Sequence, residues 1–164
     1  MQRENRLKWL TFSAALGLMH WFFGNLYEAI VFSPNWVLDS PAQLARLNGF
    51  FVRTSPTLYF VPITFVATLL VWMVTFLNHD RALRRVYSRA SVYIALAMAL
   101  NAWIVSTLIF KLFGSNYAEH GARLYDYASR WNILNVCRMT LVGITSAYLF
   151  SAFRHLDRAR YQKA

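Results

Sequence analysis

Four long apolar stretches separated by polar ones dominate the chain, at 9–32, 57–77, 92–113 and 131–153. Each is close to the ~20 residues needed to cross a hydrocarbon core of ~30 Å at 1.5 Å per residue. Lipid offers no partner to backbone polar groups, so each stretch predicts a helix that closes its own hydrogen bonds. The alternating pattern of a membrane β-barrel is missing. The predicted fold is therefore all-α: an integral membrane four-helix bundle, one membrane domain over 1–164. The first stretch has the basic start of a signal peptide, but apolar sequence runs on to Phe32 without a convincing small-residue cleavage site. A retained helix is expected there.

Charge gives the bundle a direction. Only 15% of residues are charged, against about 25% in soluble domains, while 57% are hydrophobic and 17% aromatic. The net charge of +10 sits mainly between the apolar stretches, where it suits lipid headgroups rather than a nucleic-acid groove. Arg3, Arg6 and Lys8 precede the first stretch. Arg81, Arg84, Arg85 and Arg89 lie in 78–91, and Arg154, Arg158, Arg160 and Lys163 follow the last. The other two connections, 33–56 and 114–130, hold only Arg46, Arg53, Arg123 and Arg130. The positive-inside rule then predicts both termini in the cytoplasm of a multi-pass cell-membrane protein, with the two poor loops outside. Those loops are long, and either cap a site or lie on the membrane as short helices.

Function in such proteins concentrates in residues that hydrocarbon should not tolerate. The first stretch carries His20, Asn25 and Glu28, the third Asn101, and the fourth Asn132, Asn135 and Arg138. Helical rise puts Glu28 ~6 Å and His20 ~18 Å inside the outer boundary, with Asn135 and Arg138 ~6 and ~10 Å inside it. Asn101 falls near the depth of His20. The polar groups thus gather in the half of the membrane away from the cytoplasm. At 100° per residue His20, Gly24, Tyr27 and Glu28 share one arc, as do Trp131, Asn135, Arg138 and Val142. Asn25 falls at the edge of the first arc and Asn132 off the second. Glu28 and Arg138 are the only acid and the only deep base, and an unpaired charge at mid-helix costs roughly 2.5–3.5 kcal/mol. A direct Glu28–Arg138 contact is predicted, either as chemistry or as a packing staple. Pro62 should kink the second helix, and Ala95, Ala99, Ala102 and Ser106 offer a small-residue face for close packing of the third. Cys137, the single cysteine, is expected to be a small packed side chain, with no disulfide or CxxC motif.

The candidate catalytic residues are His20, Glu28 and Arg138, with Asn25, Tyr27, Asn101, Trp131 and Asn135 as substrate-binding candidates. His20 is either a proton carrier or a histidine bonded to Asn101 or a backbone carbonyl. A metal set of His20, Glu28 and His120 is conceivable but lacks diagnostic spacing, so no metal is predicted. No nucleotide, haem or metalloprotease motif is present, and the cofactor stays undetermined.

The last stretch opens Trp131-Asn-Ile-Leu-Asn-Val-Cys-Arg138, a W-x3-N-x2-R pattern leading into an apolar span. With four helices in about 160 residues, the chain resembles a family of small bacterial and fungal membrane proteins that includes the anthrone oxygenases. The resemblance implies oxidation of an activated methylene by dioxygen with no conventional cofactor. It also implies site roles for Trp131, Asn135 and Arg138. The expected function is a membrane-embedded enzyme on a small lipophilic substrate, aromatic if the resemblance holds, working by proton abstraction in an outer-half pocket. Two other readings stay open: a non-catalytic binding or assembly subunit held by its polar cluster, and a small transporter. Four helices are few to enclose a route, so transport calls for a homo-oligomer.

Overall fold

The computed structural model describes residues 2–114 and 116–161, and among these every regular element is helical. The basic residue Lys163 lies outside the described residues. Helix α1 runs Gln2–Tyr27, and the chain continues through a π-helical turn, Glu28–Phe32, into α2, Ser33–Leu38. Helix α3 is Ser40–Phe50 and α4 is Pro56–Leu77. Helix α5, Arg81–Ile104, passes through a second π-helical turn, Val105–Ile109, into α6, Phe110–Phe113. A 3-10 segment, Tyr117–Arg123, leads into α7, Leu124–Tyr161.

Local chemistry explains the boundaries. Pro56 occupies the first turn of α4, where its missing N–H goes unneeded, and the Ser55 side chain accepts from the Leu58 N–H at 3.4 Å. Asp80 caps α5 by accepting from the Ala82 N–H at 2.8 Å. Only residues 78–80 separate α4 from α5. The basic stretch expected as a loop over 78–91 is therefore mostly the first turns of α5, since capping by Asp80 starts the helix before its apolar part. The last helix likewise begins at Leu124, seven residues before the expected 131. Pro62 lies within α4, which continues through it.

Among the described residues, three helical stretches are long and apolar enough to cross a membrane: Leu58–Leu77, Arg81–Phe113 and Leu124–Ala159. The first expected span, in α1, is not among them, because His20 and Asn25 dilute its apolar run. Helix α1 packs against α4 and α7, and α5 packs against α7 and α4. One core joins all four around Leu18, Val71, Tyr87, Ile94 and Val142, with the Tyr87 hydroxyl 2.7 Å from that of Thr11. A second core gathers Trp36, Leu44, Ile104, Leu112 and Trp131. The long connection 33–56 thus folds as short helices whose apolar residues close that end.

The basic segments meet at the opposite end. Lys8 Nζ donates to Asp157 at 3.1 Å, joining α1 to α7. His155 lies 3.6 Å from Asp80. Arg3 donates to the His79 ring at 3.0 Å, while the other ring nitrogen of His79 sits 2.8 Å from the Leu77 carbonyl.

Two packing expectations are corrected. Ala95, Ala99, Ala102 and Ser106 are exposed, and α5 instead buries Ala90, Ile94, Ala97 and Ile104. Leu83, Tyr87, Ile94 and Ile104 lie on that side and interlock with the neighbouring helices in the two cores. Cys137 is exposed rather than packed, because its neighbour Arg138 occupies the inward position of that turn.

Candidate active site

The polar residues of three helices converge on the Arg138 guanidinium. Its Nη1 donates to Asn101 Oδ1 at 2.5 Å. Its Nη2 donates to Asn135 Oδ1 at 2.6 Å and to Asn25 Oδ1. Asn25 is fixed in turn: its Nδ2 donates to the Trp21 carbonyl at 2.8 Å, and its own carbonyl accepts from Asn135 Nδ2 at 3.2 Å. The Trp21 ring faces the guanidinium, 5.8 Å from ring centre to Cζ, within the range of cation–π attraction. Arg138 is only 6% exposed.

A cavity of about 590 Å³ opens beside this cluster. Arg138, Asn25, Asn101 and Trp21 form its polar base, and Phe60 and Val105 belong to its walls. Trp36, Leu47, Asn48, Phe51 and Phe113 close the capped end. The cap is fixed by the Ser33 hydroxyl, which donates to Asn132 Oδ1, and by Trp36, whose ring lies 4.8 Å from Trp131 and 5.1 Å from Phe113. Glu28 also lines the cavity, at the start of the first π-helical turn. Both π-helical turns contribute lining residues: Glu28 and Phe32 from one, Val105 and Ile109 from the other. A π-helical turn inserts one residue into the helical register and re-aims the side chains that follow, a device common at functional sites.

Of the residues chosen from sequence, Asn25, Asn101, Asn135, Trp131 and Arg138 come together, and Glu28 shares their cavity. Three choices need correction. The Glu28–Arg138 ion pair does not form within 4.0 Å, because the guanidinium is already held by three amides. His20 points to α4, its ring 5.3 Å from those of Tyr59 and Phe60, and lines a separate groove. Nor does it bond Asn101; its Nε2 is buried without a partner. Tyr27 is 56% exposed and packs edge-on against Phe32, outside the cavity. His120 lies edge-on against Tyr127, so the His20, Glu28 and His120 set is not assembled, and no group of three metal-ligating side chains occurs among the described residues.

One physical cause explains the α1 errors. The inward stripe is Leu18, Trp21, Asn25 and Glu28, rotated from the expected arc, because Gly17 and Gly24 let α4 approach on their side. Trp21, an aromatic deep enough in its apolar run to line a pocket, does so one turn before Asn25, whereas sequence patterning does not single out Trp36 or Asn48, which enter through the fold of the cap. Comparison with known proteins adds nothing to this geometry: no family, curated protein or solved structure matches the chain.

Proposed function

We propose that α1, α4, α5 and α7 are four spanning helices of a cell-membrane protein with cytoplasmic termini, and that the cavity is the active site of an enzyme acting on a small lipophilic substrate. Membrane placement is supported by the three apolar helices and by basic residues gathered at one end. One observation carries the chemistry: Glu28 and Arg138 line a single apolar-walled cavity without pairing to each other. A carboxylate is left to accept a proton, and a guanidinium to hold the anion that results.

In this reading Glu28 takes a proton from an acidic C–H or O–H, and the electron pair stays on the substrate as an enolate or phenolate. Arg138 stabilises that oxygen, positioned by Asn25, Asn101 and Asn135. The W-x3-N-x2-R resemblance extends this to oxidation. The carbanion gives its electrons to dioxygen, and a methylene plus O2 becomes a carbonyl plus water.

Oxygen uptake by detergent-purified protein supplied with anthrone tests the reaction. Glu28→Gln, which keeps the side-chain shape, should slow uptake by at least ~100-fold, the usual worth of a positioned general base. The tie that Arg138 makes between three helices favours a second reading, an internal staple. Absence of uptake by wild type, with Glu28→Gln unchanged in stability and Asn25→Ala unfolded, would support the staple and reject the enzyme.

A further inference from the structure

Helices α4 and α5 are bound tightly at one end and separated at the other. Next to their turn, the hydroxyls of Thr75 and Ser91 lie 2.8 Å apart, and Val71 and Val74 share a core with Tyr87 and Ala90. Toward the capped end, no described α4 residue before Thr64 is buried, and the second core contains none of α4. The cavity occupies that gap. Val61 and Phe65 on one side and Phe110 on the other line it while remaining 53%, 56% and 66% exposed. The cavity therefore opens sideways between α4 and the stretch that runs from α5 into α6, through apolar side chains.

The same cavity has a surplus of donors. Trp36 Nε1, Asn48 Nδ2, Trp131 Nε1 and Arg138 Nε are buried without hydrogen-bond partners, and all four residues line it. Trp36, Trp131 and Arg138 are 5%, 1% and 6% exposed. A buried donor without a partner costs about 1–3 kcal/mol, and buried indole N–H groups usually find an acceptor. The two other buried side-chain atoms without partners among the described residues, His20 Nε2 and Thr68 Oγ1, belong to residues outside the lining. The three amides around Arg138 are neutral, so its charge is hydrogen-bonded but not cancelled by them.

We infer that the cavity takes a single-tailed membrane lipid whose head is acidic and, once ionised, bears only acceptors, such as a carboxylate, and that this lipid slides in laterally between α4 and the α5–α6 stretch. The inference rests on the membrane and cavity reading above. The lipid arrives uncharged, its O–H bond breaks with the proton passing to the Glu28 carboxylate, and its anionic oxygen is held by Arg138. The tail lies against Val61, Phe65 and Phe110 in the cleft. Charge complementarity selects this occupant over an alcohol or an amine of equal length.

The tryptophans provide the probe. Trp21, Trp36 and Trp131 line the cavity, whereas Trp9, Trp72 and Trp103 are exposed. With the exposed three replaced by Phe, quenching by 9,10-dibromostearic acid in phosphatidylcholine nanodiscs reports cavity occupancy. Binding should be about tenfold tighter than for the matching dibrominated alcohol or amine, a difference of about 1.4 kcal/mol. A Val61→Phe/Val105→Phe double variant with unchanged circular dichroism, its cleft narrowed, should be quenched at least ~10-fold more slowly. Equal rates in the two proteins overturn lateral access alone. Equal affinity for acid, alcohol and amine overturns the anionic head. If no bromolipid quenches the wild type, the cavity reading falls with both.

Discussion

Arg138 shows how a buried cation can be accommodated without an anion against it. Hydrogen bonds to charged groups contribute about 1.5–3 kcal/mol each, and amides from α1, α5 and α7 supply three. The partners are not equivalent. Asn25 is buried and anchored to Trp21 and Asn135, whereas Asn101 is only partly buried and faces the cavity. Asn25→Ala should therefore destabilise more than Asn101→Ala, where water can replace the amide. A double-mutant cycle between Asn25→Ala and Arg138→Ala should give a coupling of about 2 kcal/mol, read from reversible unfolding in detergent; zero coupling would contradict the geometry. Residue identity and depth were enough to find most of this cluster, because polar atoms in an apolar run must meet partners. Azimuth was not, and the inclusion of His20 and Tyr27 shows it. A shift of one position along a helix turns a side chain by 100°.

Between helices, small residues decide direction. A Cβ added at Gly17 would lie 2.8 Å from the Cβ of Ala67, so α1 and α4 touch there without space for a larger side chain. Gly17→Val should cost about 1–3 kcal/mol through overpacking, seen as a lower thermal midpoint in detergent. Ala99→Leu, on the exposed side of α5, should stay within about 0.5 kcal/mol. A similar loss at both positions would mean that the α5 face is covered. The spacing of Ala95, Ala99, Ala102 and Ser106 predicts a close-packing face, yet it is Ala90 and Ala97 that α5 buries. The choice of face depends on the apolar residues beside it: Ile94 and Ile104 go inward with Ala90 and Ala97. The π-helical turns at Glu28–Phe32 and Val105–Ile109 had no sequence signal at all, since neither contains Pro or Gly. They arise where the helices must keep their packing below and still turn side chains into the cavity above.

The assembled chain has two unlike ends, and the proposed membrane topology rests on them. Arg3, Lys8, His79, Asp80, His155 and Asp157 contact one another at one end, while Trp36, Phe113 and Trp131 cover the cavity at the other. The basic end carries the arginines of 81–89 on the first turns of α5. In the proposed topology this charge asymmetry holds that end in the cytoplasm, and the cavity then falls in the outer half of the bilayer with its cap outside. The single cysteine makes this simple to test, because Cys137→Ser removes the only background thiol. Ala42 and Ala82 are both exposed, the first in the cap and the second at the start of α5. In that background a membrane-impermeant maleimide applied to intact cells should label Ala42→Cys and leave Ala82→Cys unmodified until the membrane is permeabilised. The opposite pattern would invert the protein, and the lateral cleft would then draw its lipid from the cytoplasmic leaflet. Labelling of both positions in intact cells would mean that α1, α4, α5 and α7 do not separate two compartments.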